Sequence, residues 1–215
     1  LTSFFVLTAL AVAGNIFNIS FFFGVDFVFG SIAVLIILRC FGLAAAVTAA
    51  TLAGIPTLFF WNHPFALIIF VTEALTVGLL LDRRKTDLII ADGLFWLFVG
   101  IPLIWLFYFG IMRINADSTL LISLKQSANG IVNALIASIL LHHLPLRRWL
   151  GLPEAADSRG LADILFRLIL ILVLLPTFVL MVINGRANVR DLKLRLQQEL
   201  DEEADALWRD DRRGK

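Results

Sequence analysis

Charge is what this sequence has least of. Only 16% of its 215 residues are Asp, Glu, Lys or Arg, against 60% hydrophobic, whereas a soluble domain keeps its apolar share near half. With a mean hydropathy of +0.90, the composition excludes an ordinary soluble domain and is that of a membrane protein. The single cysteine, Cys40, excludes an intramolecular disulfide and any cysteine-based metal cluster. There is no G-x-x-x-x-G-K-[ST] phosphate loop, no H-E-x-x-H pair and no G-x-S-x-G nucleophile elbow. His142 and His143 are adjacent and point to different faces of a helix, so they do not form a shared metal site. The chain is therefore expected to be non-enzymatic, with no metal and no cofactor. Basic residues form no stripe interleaved with aromatics, which argues against a nucleic-acid partner.

What is abundant is long apolar sequence. A hydrocarbon core about 30 Å thick takes about 20 mostly apolar helical residues to cross. Seven segments qualify, at 3–23, 25–41, 43–61, 64–81, 88–111, 118–142 and 161–183. Asn62-His63-Pro64 is a turn with proline at a helix start, and residues 82–87 form a polar hairpin ending on a capping Asp87. Only Gly24 and Gly42 separate the first three segments, and 25–41 is short, so one of the three is expected to tilt or re-enter. The alanines and glycine between 44 and 54 favour close helix packing, and Pro176 is expected to kink the last span. The expected fold is all-α: a polytopic transmembrane helical bundle of six to seven spans over residues 1–183, then a charged amphipathic helix or linker over 184–215.

Lysine and arginine in the short loops set the orientation. Seven basic residues (Arg39, Arg83, Arg84, Lys85, Arg147, Arg148, Arg159) fall on one side and five (Arg113, Arg186, Arg190, Lys193, Arg195) on the other. The first side is assigned to the cytoplasm of a bacterial inner membrane, which leaves the tail periplasmic; a cytoplasmic tail is the alternative. Leu192, Leu196, Leu200 and Leu207 make an apolar stripe among dense charges. Such a stripe asks for a second copy, giving a homodimer, or for a following domain. The chain opens on Leu1 with no basic n-region and stops within a charged helical pattern, so it is expected to belong to a longer protein.

The informative residues are the polar ones inside the spans. A charge at the bilayer centre costs on the order of 3 kcal/mol on insertion scales, so it is usually turned inward and paired. At 1.5 Å per residue, Glu73 lies about 13 Å and Lys125 about 10 Å below the outer surface. These opposite charges are expected to pair, either as a structural lock or as a latch that a ligand releases. Lys125, Asn129 and Asn133 follow i, i+4, i+8 and form one stripe, with Gln126 beside it. Asn15, Asn18, Asp26, Asn62 and His63 are expected to converge on the same region. The set is read as the lining of a periplasm-facing cavity with Glu73 and Lys125 near its floor; for single asparagines, plain inter-helix hydrogen bonding is the alternative. Asp92 is a separate structural polar position, expected to form an inner layer with Asn133 or to lean toward the loop arginines.

The phrases GVDFVFGSIAVLIILRCFG (24–42), NHPFALIIFVTEALTVGLLL (62–81), GIPLIWLFYFG (100–110) and LKQSANGIVNALIAS (124–138) together resemble the N-terminal membrane-integral sensor regions of bacterial histidine kinases and diguanylate cyclases. Those regions are similar in turn to the substrate-binding S components of energy-coupling-factor vitamin transporters. The resemblance covers about residues 10–145 and implies ligand capture from the outside by a six-helix bundle. Ala9 and Ala13 match the A-x-x-x-A pattern by which the first helix of S components contacts the transporter scaffold. The added span at 161–183 and the charged helix fit a receptor better than a transporter subunit. The expected function is thus a sensory, ligand-binding module of a bacterial signalling protein whose full-length chain carries a kinase or cyclase output; the alternative is an S-component-like uptake subunit. Lys125 points to an anionic group on a small-molecule ligand, with Asn129 and Gln126 as hydrogen-bond partners. An anchor and dimeriser whose polar groups serve packing is a third reading.

Overall fold

A computed structural model describes residues 2–151, except 18, 23, 24 and 85, together with the isolated positions 169, 173, 190, 197, 198 and 200. The seventh span expected at 161–183 and the helix at 184–215 lie outside the described residues. Helix α1 (Thr2–Ile16) leads into a two-stranded antiparallel ribbon, β1 (Ile19–Phe22) and β2 (Val25–Phe27). Then follow α2 (Gly30–Phe41), α3 (Leu43–Trp61) and α4 (Phe65–Arg84), the long rod α5 (Leu88–Ile111), α6 (Ala116–His143) and a short α7 (Leu146–Trp149).

The helix ends follow local chemistry. Gly42 joins α2 to α3 at φ +89°, a conformation that a Cβ disfavours. Asn62 closes α3 in the left-handed region, and Pro64 follows. The Asp87 carboxylate accepts from Ile89 N at 2.8 Å, and the Asn115 side chain from Ser118 N at 2.8 Å, capping α5 and α6. Within α5, Trp96–Gly100 and Trp105–Ile111 are π-helical and flank Pro102. Widened turns of this kind are placed frequently at functional sites.

Among the described residues four helices, at Leu43–Trp61, Phe65–Arg83, Leu88–Ile111 and Ala116–His143, are long and apolar enough to cross a membrane. The first two expected spans are different. In place of helices over 3–23 and 25–41, α1 has 15 residues and α2 has 12, about 22 and 18 Å at 1.5 Å per residue, with the ribbon between them. The aromatic and β-branched run around Gly24 prefers a strand–turn–strand to continuous helix.

Small residues bring the helices together. Ala46, Ala49, Ala50 and Ala53 are completely buried on α3, and a Cβ on Gly54 would lie 3.0 Å from Leu67 of α4. The outward surface is apolar instead: Phe5, Leu10, Phe59, Leu97, Phe98, Leu106 and Leu124 are all exposed. A skin of this kind suits lipid and not water. Ala9 shares that exposed side of α1, and Ala13 is half-buried.

One asparagine ties the short helices to the long ones. Asn15 is fully buried; its amide donates to Ala53 O at 2.8 Å, and its Oδ1 accepts from Gly30 N at 3.0 Å. Asn15→Leu would strand Gly30 N and remove the second bond to Ala53 O, which keeps its place in the α3 ladder. The expected loss is on the order of 2 kcal/mol, since an orphaned buried group costs about 1–3, measured as a lower unfolding midpoint in detergent. Leu10→Ala on the lipid face should leave that midpoint nearly unchanged.

Candidate functional site

The site forms where α2 begins. Helix α2 has no capping side chain of its own, and its start sits about 20 Å along α6 from Ala116, the rise to Asn129. The Val28 carbonyl just before it accepts from Asn129 Nδ2 and from Asn133 Nδ2, each at 2.9 Å, and Asn133 Nδ2 also reaches Ser31 Oγ at 2.9 Å. One turn above, Lys125 is buried with its Nζ 5.4 Å from the Phe27 ring centroid. The expected Lys125–Asn129–Asn133 stripe therefore exists as one face of α6, and that face lies along the β2–α2 junction.

Glu73 does not meet Lys125. Its neighbour is Asp92, which in turn adjoins the Trp96 indole. The two expected positions of Asp92, beside Asn133 as an inner layer or leaning to the loop arginines, give way to this pairing with Glu73 inside the bundle, where Asp92 is completely buried. Equal depth brought Glu73 and Lys125 to one level, but rotation about each helix axis points them at different neighbours. Glu73 Oε1, both Asp92 oxygens, Trp96 Nε1, Asn129 Oδ1 and Asn133 Oδ1 are buried without a hydrogen-bond partner. Native interiors leave few such groups.

Trp96 was not foreseen as part of the site. It occupies a slot made by two glycines: a Cβ on Gly130 would overlap the indole Nε1, and one on Gly100 would come within 2.5 Å of Cε3. Ser31, Glu73, Trp96, Gln126 and Asn129 line a common cavity. It offers ≈ 10 Å³ to the centre of a water molecule, room for about one water. Trp96 and Gly100 stand four apart in the sequence, but a glycine of α6 opposite the indole could be found only by folding.

The other expected residues separate. Asn15 is engaged at both ends of its amide by backbone and serves the fold. Asp26 stands opposite Ser20 in the ribbon, and Asn18 lies outside the described residues. Asn62 is exposed in the turn between α3 and α4. His63 sits there among aromatics, stacked with Trp61 and Phe65 and edge-on to Tyr108 at 5.5 Å, and does not line the cavity. Among the described residues no three His, Cys, Asp or Glu side chains approach closely enough to form a metal group.

Two outcomes follow. Gly130→Ala should push the indole from its slot and cost on the order of 2 kcal/mol through overpacking; adding Trp96→Phe, which shortens the ring, should restore most of the unfolding midpoint. Burial lowers the His63 pKa below its ordinary 6.5. As the pH falls through that value the unfolded chain takes up the proton first, so stability present above pH 6.5 declines below it. In His63→Phe, which keeps the stacking, this part of the pH dependence of the unfolding midpoint should vanish.

No family model matches the chain, and neither curated proteins nor solved structures match it; its chemistry rests on the residues just described.

Proposed function

We propose that this chain is a membrane-integral sensory module of a bacterial inner-membrane signalling protein, capturing a small anionic ligand at the β2–α2 junction from the periplasmic side. The observation that carries the proposal is the convergence of α2, α4, α5 and α6 on one cavity whose polar lining keeps buried atoms without partners. A bundle built only for anchoring would satisfy those atoms or replace them with apolar groups. Lys125, which stands over Phe27 beside the cavity and not in its lining, would supply the charge for an anion at the β2–α2 junction, and Gln126 and Asn129 would supply hydrogen bonds.

The cavity has room for about one water, so a larger ligand needs the surrounding elements to move. A ligand enters by displacing the ribbon or by shifting α6 against α2. Such a ligand biases the bundle only by its differential affinity for the two packings, so the contact and the moving element must coincide; we place both at Val28, where Asn129 and Asn133 of α6 hold the start of α2. Helix α6 then passes the change toward the segments beyond residue 151, and the Leu192–Leu207 stripe relays it through a second copy or a following domain.

The test is a thermal-shift screen of small carboxylates and phosphates on the purified chain. At least one should stabilise it saturably, with affinity falling on the order of tenfold, about 1.4 kcal/mol, in Lys125→Met, which keeps most of the apolar stem. Unaltered affinity in Lys125→Met would remove the lysine from the site, and a screen with no stabiliser would count against capture of an anion.

A further inference from the structure

Buried oxygen at the α4–α5–α6 junction outnumbers the hydrogen available to it. Glu73 Oε1, Asp92 Oδ1, Asp92 Oδ2 and Asn129 Oδ1 lack partners, and the unpartnered donor beside them is Trp96 Nε1. The four residues are exposed by 3%, 0%, 3% and 4%, in the order Glu73, Asp92, Asn129, Trp96. Glu73 adjoins Asp92 and shares the water-sized cavity with Trp96 and Asn129. A single indole N–H satisfies one acceptor and leaves three, and the further donors that line the cavity are the Gln126 amide and the Ser31 hydroxyl, neither of which carries a charge. Buried acceptors without donors are costly in a low-dielectric interior, and a cation answers all of them together.

We infer that a small monovalent cation, Na⁺, is held here by the carboxylates of Glu73 and Asp92 and the amide oxygen of Asn129. Three features select this class. The ligands are all hard oxygens, which disfavours soft transition metals. Mg²⁺ and Ca²⁺ complete shells of six or more oxygens, commonly with waters, for which a cavity of ≈ 10 Å³ has no space. A single positive charge reduces two facing carboxylates from two negative charges to one and sits between groups that otherwise repel. The ion would join α4 to α5 and α6 at the turn where α5 becomes π-helical, so its presence would set the packing of the elements that line the ligand cavity. The inference goes beyond anion capture and does not depend on it.

The experiment measures retention of radiolabelled Na⁺ by the purified chain in nanodiscs, with thermal midpoints in NaCl and in choline chloride of equal ionic strength. Saturable one-site retention is expected, with the midpoint rising over the same concentration range, and with affinity lowered on the order of tenfold or more in both Glu73→Gln and Asp92→Asn. Absence of saturable retention by the unaltered chain would overturn the inference whether or not the variants fold. So would equal retention by both variants, or a midpoint that follows pH and ignores Na⁺, which would assign the junction to a proton. No organic ligand is present, so this outcome is independent of the anion screen.

Discussion

The structure depends on how a helix can begin in the middle of a bundle. Lipid supplies no hydrogen bonds, so backbone groups at membrane depth must find partners within the protein. Helix α2 starts there without a local cap, and two other segments, α1 and α6, complete it. Gly14 O accepts from Phe29 N at 2.9 Å, Asn15 Oδ1 accepts from Gly30 N, and Asn129 and Asn133 donate to Val28 O. Through Ala53 O the same asparagine reaches α3. The ribbon, the short first helices and the polar stripe of α6 are thus parts of one solution: irregular backbone is admitted only where side chains from α1 and α6 meet it.

That solution also creates the site. Side chains brought in to satisfy Val28 carry a second polar atom each, and the Oδ1 atoms of Asn129 and Asn133 remain unpartnered. Glu73 and Asp92 add acceptors from α4 and α5. Trp96 adds an indole N–H beside them and fills the gap that Gly130 and Gly100 leave. The π-helical turn from Trp96 to Gly100 starts at that indole. A change of ligation or hydration at this point would act on a stretch of α5 whose hydrogen-bond ladder is already irregular.

Much was legible in advance because membrane sequences are written in long runs. The starts of α3, α4, α5 and α6, the Asn62–Pro64 turn and the Asp87 cap follow from hydropathy and capping rules that act over a few residues. The Lys125–Asn129–Asn133 stripe followed from helical periodicity alone. The ribbon at 19–27 was less legible, because apolar aromatic residues favour either helix or strand until pairing decides. The neighbour of Glu73 was not legible, for a related reason: rise per residue is uniform, but azimuth depends on which face packs inward, and α4 meets both α3 and α5.

The sequence by itself determined that this chain belongs in a membrane, where four of its long helices lie, and that polar groups would be buried on α6 and α4. These are properties of composition and local period. Only the tertiary structure decided that α1 and α2 stop short around a strand pair, that Asp92 rather than Lys125 faces Glu73, and that Trp96 lies over Gly130. Each of those contacts joins residues distant in the chain, and partners across a bundle are chosen by packing and by the need to satisfy buried hydrogen-bonding groups, which no local pattern encodes.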